Sequence, residues 1–113
     1  MTPRWLIPAL VVVVGAAAAA GCGGRGADQS RLVADGRRIF VSAGCGSCHT
    51  VASANTHGSI GPNFDTSEQL DRAQIHTQLN AGVGGMPSFR DRLTPRQEDA
   101  VTEFVFQTLH RRR

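Results

Sequence analysis

The sequence predicts an all-α fold, and three observations carry that expectation. Apolar residues recur at helical spacing in three separate stretches. Two of those stretches open on capping signals. No stretch alternates with period two for long enough to suggest a sheet, and no internal repeat is present. In the first stretch Leu32, Val33, Gly36, Ile39 and Phe40 share one helical face, with Ser30 placed to act as N-cap. Asp71-Arg72-Ala73-Gln74 then reads as a capping box opening a helix through Ile75 and Leu79, which residues 80–82 end. The third helix starts at Thr94 as N-cap, with Pro95 at N1 and Gln97 at N3. Its buried stripe is Val101, Phe104, Val105 and Leu109.

The chain divides by composition. Arg4 followed by the apolar run 6–20 has the form of a targeting segment, which lies outside the fold. Ala19-Ala20-Gly21-Cys22 resembles a lipobox, the cleavage site at which a new N-terminal cysteine is acylated, although Leu is usual where Ala19 stands. Residues 1–21 are therefore read as a signal peptide of lipoprotein type, with lipid on Cys22. Cleavage after Ala20 and retention as an uncleaved anchor are the alternatives. The apolar run is short for the roughly 20 residues that a bilayer requires. All three routes put the following domain outside the cytoplasm. Residues 22–29 are Gly-rich and read as a flexible tether of about 15 Å r.m.s. reach. Residues 30–110 form one small domain, and 111–113 a basic tail.

The net charge of +3 misrepresents that domain. All twelve basic residues are Arg, and five of them, Arg4, Arg25, Arg111, Arg112 and Arg113, lie in the leader, tether and tail. Residues 30–110 hold seven Arg against eight acids, close to neutrality. Nothing beyond the three-Arg tail supports nucleic-acid binding, and such a tail is usually solvated. An anionic membrane surface or an acidic partner could use it.

Cys45-Gly46-Ser47-Cys48-His49 carries the chemistry. C-x-x-C-H is the attachment pattern of c-type haem. On a helical turn, positions i, i+3 and i+4 share a face, so two thiols can reach the vinyl groups of one porphyrin while the imidazole ligates iron. Three other uses of the pattern compete. A zinc site needs a second ligand pair, and the remaining cysteine, Cys22, lies at the end of the apolar leader. A thioredoxin-like redox pair needs a βαβ context. A structural disulfide leaves His49 without a task.

A haem also needs a sixth ligand or an open distal position. Met86 is the single methionine besides the initiator, and it lies in Gly82-Val83-Gly84-Gly85-Met86-Pro87-Ser88-Phe89. The glycines allow close approach to a flat cofactor, and Pro87 restricts the loop. Filling a core gap is the alternative task for Met86. His57, in a polar loop, is the alternative ligand, while His76 and His110 read as solvent-facing. Between the two ligand candidates lies Ile60-Gly61-Pro62-Asn63-Phe64. A Gly-Pro turn there can supply the carbonyl to which metal-bound histidines usually donate.

Taken in order, CGSCH, GPNF and GGMPSF with a helix before and after resemble the small bacterial monohaem class I cytochromes c, over about residues 30–110. The resemblance implies three to four helices around one covalent haem c with His49 and Met86 as axial ligands. It implies that the Pro62 carbonyl accepts from the His49 ring. It also implies that the first and last helices cross, bringing Gly36 and Phe40 to an aromatic near Phe104. The chain departs from the family in having no Tyr and no Lys, and its one Trp, Trp5, is in the leader. The function expected is one-electron transfer between membrane redox complexes by a monomer held through its N-terminal anchor. The alternatives are a subunit of a dehydrogenase or oxidase complex and, third, a haem-based sensor or peroxidase. No acid–base pair stands near the motif, so catalysis in isolation is not expected. A domain of this size is marginal without a staple, and covalent haem is such a staple.

Overall fold

The computed structural model describes residues 11–16 and 23–111. Three helices make the frame: α1 (Gly23–Ser42), α2 (Arg72–Ala81) and α3 (Pro95–His110). Helices α1 and α3 cross at their closest where Gly36 meets α3. A Cβ on Gly36 would stand 1.9 Å from the Ala100 carbonyl oxygen and 2.8 Å from Phe104 Cβ. Only a residue without a side chain lets the two backbones come this near. One turn on, Phe40 sets its ring edge-to-face against Phe104, with centroids 5.4 Å apart. Both rings are fully buried, as are Leu109 and Val51. The expected crossing is present.

Helix α2 packs on α3, and its buried residues are Ile75 and Leu79. Both expected capping boxes form. The Asp71 carboxylate accepts from Gln74 N (2.8 Å) while the Gln74 side chain accepts from Asp71 N (2.9 Å). Thr94 and Gln97 make the same reciprocal pair at 3.2 and 2.9 Å. Across the α2–α3 seam the Arg72 fork meets Glu103 at 2.7 and 2.9 Å. The Arg72 guanidinium also lies 3.6 Å from the centre of the Phe106 ring.

Two expectations change. Residues 23–29 are the first turns of α1 and not a coil, and Ser30 lies inside that helix, donating to Gly26 O at 2.9 Å instead of capping. Gly23, Gly24 and Gly26 each disfavour a helix by about 1 kcal/mol relative to Ala. Extending an existing helix avoids the cost of nucleation, and the start of α1 brings Gln29 near enough to Glu103 of α3 to help hold its carboxyl down. The loop after α1 also holds a two-residue antiparallel pair, β1 (Thr50–Val51) with β2 (Thr56–His57), which is too short to show in any periodicity. Residues 11–16 have no regular structure and are exposed. Among the described residues no helix is long and apolar enough to cross a membrane. Cys22, Arg4, Trp5, Arg112 and Arg113 lie outside the described residues.

Candidate functional site

The chain leaves α1 through Gly44, in the left-handed region at φ 82°, and enters a single 3-10 turn, Cys45–Ser47. Cys45 O accepts from both Cys48 N (3.2 Å) and His49 N (3.0 Å). That turn aims Cys45, Cys48 and His49 into one cavity of about 590 Å³, within the range of cofactor sites. The turn is tighter than the α-helical one the spacing suggests, yet the shared face is kept.

His49 is buried, and three neighbours fix its ring. Nδ1 lies 2.9 Å from Pro62 O. A carbonyl only accepts, so Nδ1 donates, and in the neutral tautomer Nε2 is left with the lone pair. Phe64 stacks on the imidazole with centroids 4.4 Å apart and planes 15° from parallel. Gly61 closes on the ring so tightly that a Cβ would stand 2.5 Å from Cε1. The Ile60–Phe64 stretch thus holds the ring by hydrogen bond, stacking and contact. Of these, Gly61 and Phe64 were legible only as flanks of the Gly-Pro turn.

Both motif thiols are free. Burial pushes the Cys45 thiol up to about 11, with the nearby Cys48 adding to the rise. It stays protonated at neutral pH, the opposite of the depressed thiolate that disulfide-exchange chemistry uses.

Met86 lines the same cavity, together with Gly85 and Pro87. Its backbone exchanges hydrogen bonds with Val83, Met86 N to Val83 O at 2.9 Å and Val83 N to Met86 O at 3.3 Å. Gly82 starts this loop at φ 77°. His57 is exposed on β2 and is not among the residues lining the cavity. His76 and His110, expected to face solvent, are half-buried instead. His76 Nε2 lies 3.3 Å from the buried Glu98 carboxylate, and His110 stacks on Phe106 with its Nε2 3.0 Å from Leu70 O. The rest of the wall is mainly apolar and includes Phe40, Leu79, Val101 and Val105. Arg92 and Glu68 are the charged lining residues.

An apolar cavity between three helices, bounded by a C-x-x-C-H turn and a methionine loop, defines the class of the small c-type cytochromes. Residues 31–105 match the family described as cytochrome c oxidase, cbb3-type, subunit III, and the chain belongs to that family. It is 35% identical to cytochrome c6 of Gloeothece citriformis over 78 residues, 65% of this chain and 68% of that one. It is 29% identical to cytochrome c6 of Cladophora glomerata over 83 residues, 69% of this chain and 90% of that one. Among solved structures it is similar to the c-type cytochrome SorU of Sinorhizobium meliloti, with TM-score 0.64 and 32% identity over 71% of this chain and 93% of that one. The protein is a monohaem class I c-type cytochrome that carries covalently bound haem c and transfers electrons.

Proposed function

We propose that Cys45 and Cys48 hold the haem through thioethers, that His49 and Met86 are its axial ligands, and that Pro62 sets the tautomer of His49. What supports this reading is the gathering of two free thiols, a carbonyl-bound imidazole and a thioether on the wall of one cavity. Bound there, haem supplies one-electron redox chemistry. The Nδ1 bond keeps the His49 lone pair aimed at the metal, and the apolar wall excludes water. With both axial positions taken by this chain, substrate has no place on the iron, and a sulfur ligand raises the potential. The protein then serves as a carrier between membrane redox complexes, such as a quinol-oxidising complex and a terminal oxidase. It works at the extracytoplasmic face, held by a lipid on Cys22 and reaching its partners as a monomer.

A second reading, a fixed subunit of an oxidase or dehydrogenase, draws on the family's description as an oxidase subunit. Co-purification under mild detergent separates the two, since a fixed subunit stays with its complex.

Ligand substitution tests the site. Ferric wild type should show the weak far-red sulfur-to-iron band, and the reduced form should bind carbon monoxide poorly. Met86→Ala should lose that band, admit carbon monoxide and shift to lower potential. A Met86→Ala variant that keeps the band, with the loss appearing in a His57 variant instead, would overturn the assignment. Ready carbon monoxide binding by the wild type would favour the sensor or peroxidase alternative.

A further inference from the structure

Asn80 closes the last turn of α2, and three elements converge on it. Its Nδ2 donates to both oxygens of Glu98 in the first turn of α3, at 3.1 and 3.0 Å. Its Oδ1 accepts from Arg90 Nε at 3.0 Å. Its main-chain carbonyl accepts from the Ser88 hydroxyl, and one residue earlier Leu79 O accepts from Phe89 N at 3.0 Å. Residues 82–88, which include Met86, therefore form a loop whose far end is tied back to the helix it leaves. Glu98 is 4% exposed. A buried carboxylate is costly without partners, so the Asn80 amide, with His76 Nε2 at 3.3 Å, anchors the tie in the protein interior.

We propose that Asn80 is the positioning residue for Met86: it clamps the methionine loop to the α2–α3 seam and so holds the thioether on the iron. This rests on Met86 being the sixth ligand. The clamp acts on an equilibrium between loop-closed and loop-open forms. An exogenous ligand enters only the open form, so its apparent Kd falls as the open fraction rises. Asn80→Ala removes the side-chain bonds to both Arg90 and Glu98. The Glu98 bond seats Asn80 on α3 in both forms, so the lost Arg90 tie, at the strength of one such bond, raises the open fraction about tenfold.

The experiment titrates ferric holoprotein with imidazole and follows the far-red band. Asn80→Ala should bind imidazole about tenfold more tightly than wild type. Ser88→Ala/Arg90→Leu, both at exposed positions, removes both ties to Asn80 and should shift affinity at least as far in the same direction while leaving Asn80 bonded to Glu98. N80D places two carboxylates together and should loosen the loop, and adding E98Q should restore much of the wild-type affinity. Unchanged imidazole affinity in both Asn80→Ala and the loop double variant, with only Tm lowered, would reduce Asn80 to a structural residue and overturn the proposal. Should Asn80→Ala not fold, the loop double variant decides alone. Absence of the far-red band in the wild type would instead remove the Met86 assignment, a separate result.

Discussion

Residue by residue, this cytochrome spends its polar side chains on fixing a few positions. His49 is held on three sides by Pro62, Phe64 and Gly61. Glu103 shows the same economy away from the cavity. Its hydrogen bonds to the Arg72 guanidinium hold its carboxyl below the usual range against the opposing effect of burial, and Gln107 and Gln29 assist. A depressed folded value means that the pair stabilises the protein above the ordinary Glu value of about 4.3. That contribution disappears as pH falls through the lowered value. Because Arg72 is half exposed, the pair is worth only about 1 kcal/mol. Holoprotein carrying Arg72→Met should lose about that much at pH 7 in denaturant unfolding. The gap from wild type should narrow in acid, leaving the pH-independent stacking on Phe106. A gap that does not change with pH would show that stacking alone matters. That Cys45, Cys48 and His49 share one cavity wall was legible because it follows from a fixed local spacing. Asn80 and Glu98 were not, because their partners lie 18 residues apart in sequence.

Among the elements, α2 and α3 could be read from the sequence because their caps are local. Asp71 needs only Gln74, and Thr94 needs only Gln97. The start of α1 is not legible locally, for the opposite reason. Its glycines argue locally for coil, while the residues that Gln29 approaches, Glu103 among them, belong to α3 and lie far along the chain. The same reasoning separates two kinds of glycine in one helix. Gly36→Ala would press a methyl to 1.9 Å from the Ala100 carbonyl oxygen, a backbone atom that cannot turn aside. The helices must part and loosen Phe40 from Phe104, at a cost of about 3 kcal/mol against a propensity gain of about 1 kcal/mol. Gly26→Ala meets nothing within 4 Å and should stabilise by up to about 1 kcal/mol. Denaturant unfolding of the two holoproteins should therefore move in opposite directions. Equal shifts would mean that α1 does not seat on α3 at Gly36.

For the molecule as a whole, the cavity and the first turns of α1 would set how a haem bound there is presented. A haem in the cavity gives Phe40, Leu79, Val101 and Val105 a common surface to pack on, which a domain this small needs in place of a larger core. Helix α1 begins at Gly23, directly after Cys22. If the lipid sits on Cys22, no coil of the expected tether remains between residue 23 and the domain. At 1.5 Å per residue, residues 23–30 span about 10 Å along the helix axis, less than the reach of a flexible chain and with a direction fixed by α1. The carrier would then hold its haem close to the membrane at a preferred orientation, which suits partners in the same membrane. This requires the mature protein to start at Cys22 and to carry acyl chains. Mass spectrometry of protein matured in its own membrane should find that N-terminus with added lipid, and Cys22→Ser should leave the protein unacylated. An N-terminus at Met1, or an unmodified one at Gly21 or Cys22, would remove the lipid anchor and return the domain to free diffusion or a retained leader.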